Sequence, residues 1–111
     1  MDTDYEVKIT RQATDQMKKI MYYISKELLA PEAANHLLDK MKEAIMSLAD
    51  FPKRNTLIEE EPWRSEGVRK MSVNNFLIYY WVDDEKKKVQ VTAVIYQKRE
   101  QLRQLMNMDF E

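Results

Sequence analysis

The chain begins with a short stretch in which apolar and polar positions alternate. Over residues 5–9, Tyr, Val and Ile alternate with Glu and Lys, the period of two that is typical of a half-buried strand. Thr10 follows, and its hydroxyl can accept from the unpaired N–H groups of a first helical turn. Apolar residues then recur every three or four positions: Ala13, Met17, Ile20, Met21, Ile24 and Leu28. This spacing predicts a first helix that runs from Thr10 to about Leu28.

A second apolar stripe predicts a second helix. Pro31 suits its first position, where the missing N–H costs nothing, and Glu32 complements the positive end of the helix dipole. Pro52 ends it, because proline cannot continue a helix. The stripe consists of Ala34, Leu37, Leu38, Met41, Ile45 and Leu48. Two amphipathic helices joined by a few residues predict an antiparallel hairpin, and a sheet must cover what their stripes leave exposed.

The C-terminal half predicts three consecutive strands. Val68 to Val73 is rich in strand-forming residues, and Phe76 to Val82 is apolar at every position, as expected of a central strand covered on both faces. From Val89 to Tyr96 two sets of residues alternate along the chain, with the period of two that is typical of a strand. Asn74-Asn75 supplies the residue type that tolerates positive φ in the first connecting turn. The three strands therefore predict a meander.

Residues 98–111 predict a short last helix, since Leu102, Leu105 and Met106 have helical spacing. The whole order predicts a single α+β domain over residues 1–111, β-α-α-β-β-β(-α). In this architecture the helical hairpin packs on one face of a small, mostly antiparallel sheet.

Composition narrows the chemistry. Charged residues make up 33% and apolar residues 44% of the chain, as in ordinary globular proteins. There is no cysteine, which excludes disulfides, thiolate metal sites and cysteine nucleophiles. The three consecutive glutamates at 59–61 would not converge on one ion, so neither a metal nor a cofactor is expected. The net charge is −1 and the pI is about 5.9, which argues against a strong non-specific grip on nucleic acid.

No feature of the sequence predicts a membrane protein. The longest apolar run, Phe76 to Val82, has seven residues, whereas a spanning helix needs about 20. The first four residues are acidic where a signal peptide would be basic and then apolar. We therefore expect a cytoplasmic protein.

Several short segments, taken in their order and spacing, resemble the RelE/ParE toxins of type II toxin–antitoxin systems, also known as plasmid stabilisation proteins. The segments are Tyr5–Thr10, Ala44–Arg54, Glu61–Lys70, Asn75–Tyr80 and Ile95–Glu100. The resemblance implies a toxin that arrests growth until a cognate antitoxin wraps its surface. It also implies assembly, either as a homodimer or as a heterotetramer with the antitoxin. ParE-like members bind and block DNA gyrase, whereas RelE-like members cut messenger RNA on the ribosome.

The resemblance can be followed at the positions that cut RNA in RelE-like members. Arg99, beside Lys98, matches a catalytic arginine, and Arg69 falls where the family places a basic residue on the second strand. Leu77 stands where those members keep an arginine, and Leu105 stands where they keep a tyrosine.

Because these two groups are missing, the favoured hypothesis is a toxin that acts by binding, as ParE does. The alternatives are a ribosome-dependent endoribonuclease that uses Arg99, Lys98 and Arg69, with Tyr96 or Tyr80 as a substitute, and a degenerate non-toxic member. The only histidine, His36, lies off the apolar stripe and is expected to be a solvated surface residue.

A partner surface is predicted on the side of the sheet away from the helices. Val94 and Tyr96 are expected there, with Leu102, Leu105 and Met106 of the tail nearby, and such an apolar set would rarely face water in a monomer. We expect a helical partner peptide to dock on it. Trp63 and Arg64 are of the types enriched in interface hot spots, although Trp63 could instead cover one end of the core.

Overall fold

A computed structural model describes residues 4–96 of the chain, so the predicted last helix lies outside the described residues. Two helices lie on one face of a four-stranded sheet. The main elements are β1 (Glu6–Ile9), α1 (Arg11–Tyr22), α2 (Pro31–Met46), β2 (Val68–Val73), β3 (Phe76–Asp83) and β4 (Lys88–Tyr96). The predicted α+β order and helical hairpin are confirmed over this part of the chain.

The strands are ordered β1-β4-β3-β2. The pairs β2–β3 and β3–β4 are antiparallel, as predicted for a meander, while β1 runs parallel to β4. Parallel neighbours need a long connection, and here the helical hairpin lies between β1 and the later strands. In the turn between β2 and β3, Asn74 has a φ of +54°, as its residue type predicted.

The ends of the helices have local causes. The Ala13 N–H donates to the Thr10 hydroxyl at 3.2 Å, so Thr10 caps α1 as predicted. After Tyr22 the helix continues as a π-helical turn over Tyr23–Glu27. A π turn holds an extra residue and rotates the subsequent residues about the helix axis. This explains why Leu28, predicted to be on the buried stripe, is 56% exposed.

The second helix is shorter than predicted. Its α-helical part ends at Met46, and a 3-10 turn, Ser47–Ala49, precedes Pro52. The Arg54 guanidinium donates to the carbonyls of Ser47 at 3.1 Å and Asp50 at 2.7 Å. These bonds satisfy carbonyl groups that a helix end leaves without partners.

The core lies between the helices and one face of the sheet. Both apolar stripes contribute to it, and Met41 and Ile45 are fully buried against sheet residues such as Ile78, Val89 and Val91. Tyr5, just before β1, is also in the core, and the remaining buried sheet residues include Met71, Val73, Phe76, Tyr80 and Val94. The helix stripes were therefore predicted correctly up to the π turn.

A β-bulge in β4 corrects the prediction for the last strand. Tyr79 pairs with Ala93 while Tyr80 pairs with Val91, so Thr92 has no partner across the ladder. One extra residue reverses the sides on which later side chains point. Val94 therefore faces the helices and is 1% exposed, and its N–H donates to the Gln16 Oε1 at 2.8 Å.

The bulge moves Tyr96 to the same side. Its ring contacts the ring of Phe76 edge-on at 4.7 Å between centroids, and it packs against the core. The prediction that Val94 and Tyr96 lie on the face away from the helices was wrong, because strict alternation cannot register an inserted residue. Ala93 and Ile95 lie on that face instead.

Candidate functional site

The sheet face away from the helices, called here the open face, carries the candidate site. The β3 residues on it, Leu77, Tyr79 and Trp81, are only half-buried. The strand was predicted to be covered on both sides, but the described residues cover only the side of Phe76 and Ile78. The open face is therefore an apolar surface that residues 4–96 cover only in part.

A cavity of about 750 Å³ crosses the open face, and we call it the open-face groove. Its floor is made by Val68, Tyr79, Trp81 and Ala93. One wall is made by Ile58 and Trp63, with Glu60 and Glu66 on the rim, and the other end is formed by Gln12 and Thr92. This size lies within the range of small-ligand and peptide-anchoring pockets, about 300–1,000 Å³.

The wall is built by a short segment that extends the sheet beyond β2. The Ile58 N–H donates to the Val68 carbonyl at 3.0 Å and the Lys70 N–H to the Thr56 carbonyl at 3.1 Å. Leu57 forms an isolated antiparallel bridge with Arg69. Ile58 is thereby held against the open face and is 5% exposed.

The loop over residues 59–67 completes this wall. The Val68 N–H donates to the Trp63 carbonyl at 3.0 Å, and Arg64 donates from Nη1 to the Ile58 carbonyl at 3.2 Å. Gly67 closes the loop at a φ of +87°, with Trp81 beside it. These bonds hold Trp63 at the groove while leaving its side chain 51% exposed.

The rim of the groove is acidic. Residues 59–66 hold four glutamates and one arginine, which is a net charge of −3. Burial raises the pKa of the Tyr79 hydroxyl, and the negative charge of Glu60 raises it further. Two hydrogen bonds from Ser65, from its hydroxyl at 2.6 Å and its N–H at 3.0 Å, lower the pKa of Glu61. Of these carboxylates, Glu60 therefore acts on the floor of the groove, through Tyr79.

The predicted RNA-cleaving residues are not brought to the groove. Arg69 faces the helix side, where its Nη1 donates to the carbonyls of Asn55 at 2.6 Å and Lys53 at 3.3 Å. Tyr80 is fully buried, and its hydroxyl donates to the Pro52 carbonyl at 2.6 Å. Burial raises the pKa of Tyr80. Lys98 and Arg99 lie outside the described residues.

The predicted partner-binding residues divide into three groups. Trp63 lines the groove and is absent from the core cluster, and Arg64 stabilises the same loop. Val94 and Tyr96 face the helices because of the bulge. Leu102, Leu105 and Met106 lie outside the described residues, so their predicted role stays a prediction.

Sequence reasoning missed the floor and the rim of the groove. A signal for the floor was present, because Tyr79 and Trp81 alternate with the core residues Ile78 and Tyr80 along β3. No comparable signal pointed to Glu60 or Glu66. Their position depends on how the loop folds back over the sheet.

The aromatic floor and the acidic rim of the groove are suited to holding another molecule.

Within residues 4–96, no three His, Cys, Asp or Glu side chains converge as metal ligands. His36 is exposed on α2, as predicted. No helix in the part of the chain that the structure describes is long and apolar enough to cross a membrane.

Comparison with known proteins places this fold among the toxins of type II toxin–antitoxin systems. A family model described as "ParE toxin of type II toxin-antitoxin system, parDE" matches residues 7–101. The chain belongs to this ParE toxin family. No curated protein matches the sequence.

Solved structures share the fold at low identity. A chain from the chromosomal ParDE toxin–antitoxin system of P. aeruginosa superposes with a TM-score of 0.69 at 20% identity, covering 86% of this chain and 98% of that one. A chain of the RelBE2 complex from Mycobacterium tuberculosis gives 0.60 at 20% identity, covering 86% and 94%. A chain of the E. coli RelBE complex gives 0.54 at 18% identity, covering 86% and 99%. The RelE/ParE fold predicted from the sequence is confirmed.

Proposed function

We propose that this toxin stops bacterial growth by binding DNA gyrase and blocking it, and that a cognate antitoxin neutralises it. The observation that carries the binding mode is that two of the candidate RNA-cleaving residues, Arg69 and Tyr80, are already engaged in contacts within the fold. Arg69 is bonded to two backbone carbonyls, Tyr80 is buried on a third, and Leu77 has no polar group at all.

Cleavage by a 2′-hydroxyl needs a group that removes its proton, an acid for the leaving oxygen and cations for the phosphate charge. Neither Arg69 nor Tyr80 can reach a phosphate while it holds its present contacts, and Leu77 could not bind one. The acidic loop beside the groove would also repel an RNA backbone, whose phosphates dominate protein binding. A toxin that acts through a protein surface needs none of these groups.

An antitoxin partner is supported by two observations. The open-face groove has an aromatic floor and an exposed Trp63 at its wall, and aromatic residues of this kind are enriched where proteins bind partners. The similar structures from M. tuberculosis and E. coli are described as toxin–antitoxin complexes. The partner is expected to be encoded by a small reading frame next to that of the toxin.

The target is tested with the full chain in two assays. Induced in a bacterium, the chain is expected to stop growth, and co-expression of the neighbouring reading frame is expected to restore it. Purified chain is expected to inhibit supercoiling by purified gyrase and to leave messenger RNA intact in primer extension.

Each contrary result points to a different alternative. Codon-linked cuts in messenger RNA, lost in a Lys98→Ala/Arg99→Ala variant, would replace the gyrase proposal with RNA cleavage. Unimpaired growth on expression without the partner would leave only a non-toxic, antitoxin-binding member.

A further inference from the structure

We infer that the open-face groove is the docking site for a segment of the antitoxin that is both apolar and basic. This inference rests on the proposed function, and it specifies the chemistry of the partner. The apolar side chains of the segment would lie on the floor, and its Lys or Arg side chains would lie at the acidic rim.

The aromatic residues of the floor and wall favour a partner with apolar side chains. Tyr79 and Trp81 are half-buried at the floor, and Trp63 exposes 51% of its surface at the wall. Aromatic side chains of this kind dominate binding energies at interfaces because they bury large areas with few rotatable bonds. The Trp63 carbonyl accepts from the Val68 N–H, so the backbone that carries the indole is fixed by the fold.

The acidic rim favours a partner with positively charged side chains. Glu60 and Glu66 line the groove, within a loop whose net charge is −3. Lys70 is on the same sheet face but is not among the lining residues. Trp63 lines the same groove as the two glutamates, and the face of its indole also attracts cations. Charge complementarity of this kind sets specificity and the rate of association.

The occupant is a protein rather than a nucleic acid. Phosphates would meet the carboxylates of Glu60 and Glu66 at the point where a basic side chain is needed. The dimensions also suit a peptide. The groove crosses β2, β3 and β4, which are spaced about 4.8 Å apart, so a helix of about 5.4 Å pitch would cross it in roughly two turns.

The test uses the chain's own fluorescence. Both tryptophans of the protein, Trp63 and Trp81, line the groove, so their emission reports on this site without a label. The full chain is titrated with the protein encoded by the neighbouring reading frame. Binding is expected to shift the emission to shorter wavelength, because it removes water from both indoles.

Charge is tested with a matched pair of variants. Glu60→Gln/Glu66→Gln is expected to weaken binding about fourfold to tenfold and to reduce its salt dependence, as for partly exposed ion pairs. The control variant, Glu32→Gln/Glu43→Gln, also removes two negative charges, but from the exposed side of α2. It is expected to change the affinity by less than about twofold. Trp63→Ala is expected to weaken binding about tenfold or more, with circular dichroism verifying the fold.

The contrary outcomes are distinct. If a complex forms but the groove variants bind as well as the control, or the loss of both glutamates tightens binding, the inference is overturned and the proposed function stands. If the neighbouring protein does not bind the wild-type chain at all, the inference falls together with the proposed neutralisation, whereas gyrase inhibition is judged by the supercoiling assay alone.

Discussion

Replacing Tyr80 by Phe tests whether a buried hydroxyl anchors the segment that leads to the groove. The Tyr80 hydroxyl donates to the Pro52 carbonyl at 2.6 Å and accepts from the Asn55 side chain at 3.1 Å. Asn55 in turn offers its carbonyl to Arg69. The next residues, 56–58, form the groove wall, so the hydroxyl connects the core to the candidate site.

The magnitude follows from burial. Tyr80 and Pro52 are both less than 2% exposed, so the substitution leaves a buried acceptor without its donor, which costs about 1–3 kcal/mol. Asn55 is half-exposed, so water can replace its lost partner at little further cost. The phenyl ring keeps its packing. We expect a loss of about 2 kcal/mol, which for a chain of this length lowers Tm by about 8 °C.

Urea unfolding provides the measurement, compared at equal m value. Tyr79→Phe is the matched control, because it removes the same atom from the neighbouring residue, which is half-buried on the open face. It is expected to change stability by less than about 0.5 kcal/mol. If the two variants were equally stable, the anchoring role of the Tyr80 hydroxyl would be refuted.

Three further substitutions test individual contacts. Gly67→Ala is expected to destabilise the groove loop by about 1–2 kcal/mol, because its φ of +87° is strained for an L side chain, and tryptophan emission should shift to longer wavelength. Thr10→Ala should cost about 1 kcal/mol in chemical unfolding, since α1 loses its cap. Lys53, and then the Tyr5 hydroxyl, lower the pKa of Asp84 below 3.8. Its contribution to stability is therefore present above that pH and lost on acidification, and Asp84→Asn should unfold with a weaker pH dependence between about pH 5 and pH 3.

Matched controls are available for the last two. Thr14→Ala changes the same residue type within α1, and should be clearly less destabilising than Thr10→Ala if capping is the cause. Asp39→Asn removes an exposed carboxylate from α2 and should keep the acid dependence of the wild type. Equal behaviour of Asp39→Asn and Asp84→Asn would contradict the assignment to the Lys53 contact.

The order of elements was predictable because each depends on neighbours in sequence. The cap at Thr10 needs only the next three residues, and the positive φ of Asn74 needs only a tight turn. The buried stripes of α1 and α2 follow from a period that local backbone geometry sets. The π turn after Tyr22 was not predictable, because it changes that period without a proline or glycine to mark it.

The candidate site was only partly predictable. Trp63 was singled out by its residue type, and it lines the groove. Val94 and Tyr96 were assigned to the wrong face, because a single unpaired residue at Thr92 reverses the alternation. That bulge is stabilised by partners far along the chain, including Gln16 on α1, which accepts from the Val94 N–H.

The sequence by itself determined the helices, the strands and their apolar faces, and it contained enough of the family pattern to identify a RelE/ParE toxin. These properties depend on local spacing. The tertiary structure alone decided which sheet face is open and which residues meet there. The groove joins residues from α1, the 57–67 segment and three strands, and such a meeting depends on strand register and on the path of a loop, which contacts distant in sequence decide.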